Sequence, residues 1–230
     1  MEEDPNRAGV APVIDPRTLP SVAVTRERLV QAARRVAAEP MFNPHHEPEV
    51  PAADRGSLID SSVLLPFDLQ RGELLLTRRA SRLRFGGHVV FPGGKRDPED
   101  EDATATALRE SHEEIGLQPE LVDVVGSLGA YCTHSGYRMT GVVGVVQPEA
   151  QLEPDPREVA AVLRMPLAHA LSADAWVLRP RSQRPWRANF VLSHGDAMVS
   201  GPTVSLLLHL WRALAVECVE DLLGGERQGP

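Results

Sequence analysis

The chain has 230 residues, 42% of them hydrophobic and 24% charged, enough to enclose a substantial core and too apolar for a disordered chain. Its 24 Lys and Arg against 32 Asp and Glu give a net charge of −8, so bulk charge repels polyanions and no nucleic-acid partner is expected. The two cysteines, Cys132 and Cys218, form no CxxC pair, which argues against a disulfide framework or a cysteine zinc site and makes a reducing cytoplasm the expected setting.

The N-terminal stretch MEEDPNRAGVAP is acidic and lacks an apolar run, so no secretory leader is expected. Residues 1–20 hold four prolines and no periodicity. From Thr25 to Glu39, Leu29, Ala32, Ala33 and Val36 recur at helical spacing, and Pro40 ends the helix. Residues 40–51 are again proline-rich, and His45, His46 and Glu47 within them are expected to be a solvated loop rather than a metal site. The predicted division is a flexible N-terminal arm with one helix over 1–50 and a catalytic domain over 51–230.

In that domain, SLIDSSVLLPF and GELLLTRR are two β-like runs joined by a short polar turn. HVVF is a short strand ending at the Pro-Gly-Gly break, and a long polar loop leads to a helix over Ala103–Ile115, stopped by Gly116. DVVGSLGAYC and MTGVVGVV are further strands, the second apolar enough to be buried on both faces. REVAAVLRMPL is expected to be a turn of helix running into a strand. Val204, Leu207, Leu208, Trp211, Leu214 and Ala215 form one face of a helix that packs in the core or against a second copy. Its apolar stretch is broken by His209, Arg212 and Glu217, so no membrane span is expected. Lys95 is the only lysine among many arginines, a composition that suggests a GC-rich bacterial genome. The mixed order of strands and helices indicates an α/β or α+β domain.

The chemistry-bearing segment is GGKRDPEDEDATATALRESHEEIGL, Gly93 to Leu117. On a helix, Glu110, Glu113 and Glu114 share one face near the C-terminal end, where the dipole is also negative. Such a cluster is either a solvated acidic surface or a site whose repulsion is relieved by a hard divalent cation. Spacing alone leaves both readings open.

Arg109, Glu110, Glu113, Glu114, Gly116 and Leu117, read as REXXEEXGL after FPGG, resemble the signature of the Nudix hydrolases. Glu101 takes the place of that signature's first glutamate, separated from Gly94 by six residues rather than five, and Ser111 replaces an apolar residue. Leu75 to Gly94, LLTRRASRLRFGGHVVFPGG, is similar to the additional motif of the coenzyme A pyrophosphatase branch. Leu75, Leu76, Thr77, Arg79, Ala80, Arg84 and Phe91 to Gly94 match it, and the chain is one residue short after Arg84. Ser135–Val146 and Arg157–Leu167 resemble segments of the same branch.

The resemblance implies an α/β/α sandwich with a mixed β-sheet and a catalytic loop-helix-loop. It implies cleavage of coenzyme A or acyl-CoA to 3′,5′-ADP and phosphopantetheine with Mg²⁺ or Mn²⁺. The alternatives are another nucleoside diphosphate derivative as substrate, or a non-catalytic nucleotide-binding module of the same fold. Glu110 and Glu114 would be the main metal ligands, with Glu113 completing the set. Arg109 would orient them, and the base would be Glu158, Glu113 or Glu114. Arg79, Arg84, Gly93, Gly94 and Lys95 would meet the substrate, Lys95 having an exposed turn position as its alternative; Arg82 and His112 would be solvent-facing. The expected partner is thus a small nucleotide, with a homodimer as a further expectation. The charge order along the chain agrees with this: residues 71–96 hold seven bases and one acid, whereas 97–114 hold eight acids and one base, Arg109.

Overall fold

The computed structural model describes residues 15–37, 56–133, 135–181 and 184–225. The proline-rich stretch with His45, His46 and Glu47 lies outside them. Two long strands form the centre. β1 (Ile59–Asp68) runs parallel to β7 (Tyr137–Val146) along nine residue pairs, from Ile59↔Tyr137 to Phe67↔Val145. The expected hairpin is present: β1 turns through Gly72 into antiparallel β2 (Glu73–Arg79). β5 (Val122–Ser127) and β6 (Tyr131–Cys132) pair with β7, β8 (Val159–Pro166) pairs with β2, and β3 (Val89–Val90) also pairs with β2.

Strand alternation divides the apolar side chains between two faces. Leu64 of β1, Leu75 of β2 and Val142 of β7 point to one side, where they join Ala107, Ile115 and Leu117. These last residues come from α2 (Ala103–Ile115) and its exit. Leu65, Phe67, Leu74, Leu76 and Val143 point to the other side. There they meet α1 (Arg26–Ala37) and α4 (Pro202–Gly225). Helices thus cover both faces of a mixed sheet, an α/β/α sandwich. β7 is buried on both faces, as its unbroken apolar run requires.

Several expectations are corrected. Gly93–Lys95 is not the start of a loop but a short strand, β4, antiparallel to β1. In 157–167 the order is reversed: a turn leads into β8, and the helical turn α3 (Leu167–Ala170) follows it. Residues 176–199, given no element from sequence, form β9 (Trp176–Arg181), β10 (Arg184–His194) and β11 (Ala197–Val199), which extend the sheet through a parallel Val199↔Val89 pair. Val204, Leu207, Leu208, Trp211, Leu214 and Ala215 of α4 are all inside the core, so their apolar face is satisfied without a second copy.

The helix assigned to an arm also belongs to that core. Leu29, Ala32, Ala33 and Val36 have no exposed surface. The Trp211 indole N–H donates to the Pro20 carbonyl at 3.0 Å, and Arg26 pairs with Asp123 of β5. Leu29→Ala is therefore expected to destabilise the protein by roughly 2–5 kcal/mol, the range for a leucine emptied from a packed core. A urea titration reads this directly; a loss below about 0.5 kcal/mol would return the helix to an arm.

Candidate active site

The helix α2 is set at both ends by its own sequence. The Asp102 side chain caps the first turn by accepting from the Ala105 N–H at 2.8 Å. Gly116 closes the last turn in the left-handed region, its N–H donating to the His112 carbonyl at 2.9 Å. Ser111, the departure from an apolar residue, is fully buried and donates its hydroxyl to the Ala107 carbonyl at 2.6 Å, so its polar atom is satisfied within the helix. His112 is exposed, as expected.

This frame presses the carboxylates of α2 against β4. Gly94 pairs with Ser62 and Gly93 with Val63. A side chain on Gly94 would collide with the Glu110 carboxylate, and one on Gly93 with the backbone of β1. The two glycines are therefore what let strand, neighbouring strand and acid approach so closely. Glu114 is only 3% exposed and accepts the Gly93 N–H at 3.2 Å. Burial pushes its carboxyl up to about 7, helped by the charges of Glu110 and Glu158; the Gly93 N–H and Arg79 oppose the rise. Glu110 is also raised, chiefly by burial, with Arg109 opposing and Glu113 and Glu158 adding to it.

Arg109 is the hub. Its guanidinium donates to both oxygens of Asp100 at 3.0 Å, to Glu113 at 3.0 Å, to Glu110 at 3.1 Å and to the Lys95 carbonyl at 3.0 Å. Asp100 is 7% exposed, and its bond to Arg109 holds its carboxyl far below the usual range. Here the sequence reading is corrected. Glu101 is exposed, and its carbonyl, not its carboxylate, accepts from Arg96. Asp100 anchors Arg109 instead. The signal was present: five residues separate Gly94 from Asp100, so the apparent extra residue falls after the anchoring acid.

The three glutamates of α2 do not converge equally. Glu110 and Glu114 face β4, whereas the Glu113 side chain is 55% exposed and tied to Arg109. Glu158 is exposed just before β8; its carbonyl accepts the Ala80 N–H at 2.8 Å, and its charge acts on both buried carboxylates. Arg79 reaches within 3.8 Å of Glu114 and donates to the Arg84 carbonyl at 3.4 Å. The Arg84 and Lys95 side chains are exposed, and so is that of Arg82.

Among the described residues, no three His, Cys, Asp or Glu side chains form a group able to hold a metal ion by themselves. Mg²⁺ needs no such cage: one or two carboxylates, waters and substrate phosphates suffice. Glu110 and Glu114, hard oxygen donors kept dry and short of compensating charge, fit that requirement. Two such carboxylates beside an arginine-bearing loop suit a divalent cation and an anionic substrate.

Comparison with known proteins agrees. A family model described as the NUDIX domain matches residues 59–187, more than half of the chain, and the chain belongs to that family. A protein of Photorhabdus laumondii named Uncharacterized Nudix hydrolase NudL is 42% identical over 118 residues, which cover 50% of this chain and 63% of the relative. Its namesake in Yersinia pestis is 35% identical over 160 residues, 68% of this chain and 80% of that one. The match to the first of these thus spans a little under two thirds of its length. Among solved structures, the Nudix hydrolase RenU of M. smegmatis is 19% identical with a TM-score of 0.45, over 70% of this chain and 84% of its own.

Two measurements check this geometry. Asp100→Asn is expected to cost roughly 1–3 kcal/mol, the penalty of leaving a largely buried partner short of its bonds, whereas Glu101→Gln changes little; equal effects in chemical denaturation would restore Glu101 as the anchor. The second is pH-dependent. Between about 7 and the ordinary 4.5, native Glu114 holds a proton that the unfolded chain does not. Its contribution to stability in chelator-treated protein therefore rises as pH falls through that window. Glu114→Gln is expected to flatten this slope; an unchanged slope in the variant contradicts the dry environment.

Proposed function

We propose that the chain is a metal-dependent hydrolase that cleaves the diphosphate of coenzyme A or acyl-CoA, releasing 3′,5′-ADP and phosphopantetheine. The observation that carries the hydrolase reading is the pair of carboxylates withdrawn from water, half-buried Glu110 and buried Glu114, packed on Gly94 and Gly93. A protein that only binds a nucleotide gains nothing from keeping two acids dry and mutually repelling, since each costs desolvation energy. The coenzyme A assignment is supported by the similarity of Leu75–Gly94 to the motif of that branch. The names of the relatives support hydrolysis without specifying a substrate.

Glu110 and Glu114 would hold Mg²⁺ or Mn²⁺, with Glu113 joining through water. The ion supplies charge neutralisation at the diphosphate and acidifies the attacking water. Arg109, fixed by Asp100, keeps the Glu110 and Glu113 carboxylates in place and offsets their repulsion. Glu158 is the favoured base: it is exposed, so it can exchange protons with solvent, and it lies close enough for its charge to act on both buried acids. Glu113 is less suited, because its carboxylate is engaged by Arg109. Arg79, with Lys95, would receive phosphate oxygens, for which a guanidinium fork is well matched, and Arg84, lying over the Phe85 ring, would meet another part of the substrate. Gly93 and Gly94 would serve the substrate by seating Glu110 and Glu114, since the space beside them is taken by β1 and by the Glu110 carboxylate. The two-cysteine composition keeps a reducing, cytoplasmic setting as the proposed location.

Because the chain is one residue short after Arg84, a different nucleoside diphosphate derivative is the second reading. The test is incubation with Mg²⁺ or Mn²⁺ and separate samples of coenzyme A, ADP-ribose, NADH, dinucleoside polyphosphates and nucleoside triphosphates, with products identified by mass. Coenzyme A is expected to yield 3′,5′-ADP, and Glu114→Gln to lower the rate by about 10²–10³-fold. Turnover of ADP-ribose with coenzyme A untouched overturns the branch assignment; no turnover of any compound overturns the enzyme.

A further inference from the structure

The loop between β2 and β3, residues 80–88, holds a bulky residue in a conformation that such residues avoid. Phe85 has φ 60, the positive value recorded for a non-glycine residue among those described. The loop enforces it. Leu83 N–H donates to the Ala80 carbonyl at 3.0 Å, Gly86 N–H to Leu83 at 2.9 Å, Gly87 N–H to Arg79 at 2.9 Å and His88 N–H to Phe85 at 3.2 Å. Strain over-determined in this way tends to mark a functional position.

The result is an aromatic ring left 48% exposed to water. The Arg84 guanidinium carbon lies 4.8 Å from its centroid, and the His88 ring is 5.6 Å away, tilted by 42°. The platform is wired to the carboxylates. Arg79 approaches Glu114 at 3.8 Å and, through Nε, donates to the carbonyl of Arg84, the residue before Phe85. The start of the loop, next to Arg79, is tied to the backbone of Glu158 through the Ala80 N–H.

An exposed ring flanked by a guanidinium and an imidazole offers planar, polarisable surface with positive character. That surface suits a nucleobase, which stacks on aromatic and guanidinium planes whatever its identity. It does not suit a flexible aliphatic or pantetheine chain, which is held by an enclosed apolar groove. We infer that Phe85, with Arg84 and His88 beside it, is the stacking platform for the base of the nucleotide whose diphosphate is held at Glu110 and Glu114. This rests on the proposed nucleotide substrate and adds the subsite that grips its base. Phe85 is not among the residues that carry the coenzyme A pyrophosphatase resemblance.

Binding, not turnover, tests it. Calorimetry with Mg²⁺ compares two non-hydrolysable probes, α,β-methylene-ADP, which carries a base, and methylenediphosphonate, which does not. Phe85→Ala is expected to weaken α,β-methylene-ADP roughly tenfold, as lost stacking does, and to leave methylenediphosphonate within about twofold of wild type. Phe85→Tyr, which keeps the ring, restores the affinity. An exposed loop residue should leave the thermal unfolding midpoint unchanged, which separates lost stacking from lost folding. Equal weakening of both probes, wild-type binding by Phe85→Ala, or no binding of α,β-methylene-ADP by the wild type each overturns the platform. Turnover of coenzyme A without any dependence on Phe85 overturns the platform alone, whereas Phe85-dependent binding of α,β-methylene-ADP without such turnover overturns only the substrate.

Discussion

Everything at the candidate site follows from the removal of two carboxylates from water. An ionised carboxylate in an apolar setting is costly unless hydrogen bonds or opposite charge compensate it. Glu114 has one backbone N–H and a distant guanidinium; Glu110 has a share of Arg109, which Asp100, Glu113 and the Lys95 carbonyl also occupy. Neither is fully compensated, and both carboxyls are accordingly raised. A pair in that condition has unspent affinity for a cation. The glycines of β4 set how deep the pair sits, because a side chain on Gly94 would occupy the space of the Glu110 carboxylate.

The sheet supplies the rigidity that this arrangement needs. Alternation along β1, β2 and β7 sends one set of side chains toward α2 and the other toward α1 and α4. The apolar side of α2, through Ala107 and Ile115, is fixed to Leu64, Leu75 and Val142, which leaves its acidic side to face β4. On the far face, Trp176 and Trp211 lie 5.8 Å apart between α4 and the added strands. Their indole N–H groups donate to the carbonyls of Ala170 and Pro20, so both large side chains are buried without losing a hydrogen bond.

What the sequence discloses follows the range of the interactions involved. α2 is local: helical spacing and a terminal glycine are read within its own length, and its bounds agree with expectation. β7 is likewise legible, since an unbroken apolar run must be covered on both sides. β9 and β10 were not, because their proline- and arginine-bearing segments lack alternation and gain strand structure by pairing with each other. α1 was legible as a helix but not as core, because its burial depends on α4, nearly two hundred residues away. The same logic separates the site residues. Glu110 and Glu114 come from one helical face, whereas Asp100 is recognised only once the loop has folded back onto Arg109.

The charge order along the chain, a basic strip of 71–96 before an acidic one of 97–114, changes meaning in three dimensions. Arg71 is paired with Asp68, Arg78 with Asp196, and Arg96 with the carbonyls of Asp100 and Glu101. These bases hold turns and loops together. Arg79 faces Glu114, and Arg84 lies over Phe85. The acidic strip divides likewise: Asp100 and Asp102 are structural, whereas Glu110 and Glu114 are the buried pair. A guanidinium already satisfied by a carboxylate has little left for a phosphate, because the new bond must replace an existing one. On the proposed function, anion recognition would fall to the few cations next to these acids, above all Arg79, which is half-buried beside Glu114 and less screened than an arginine on the open surface. On that reading the strip's total charge would bring an anionic substrate near, and the unequal engagement of its members would decide where the diphosphate comes to rest.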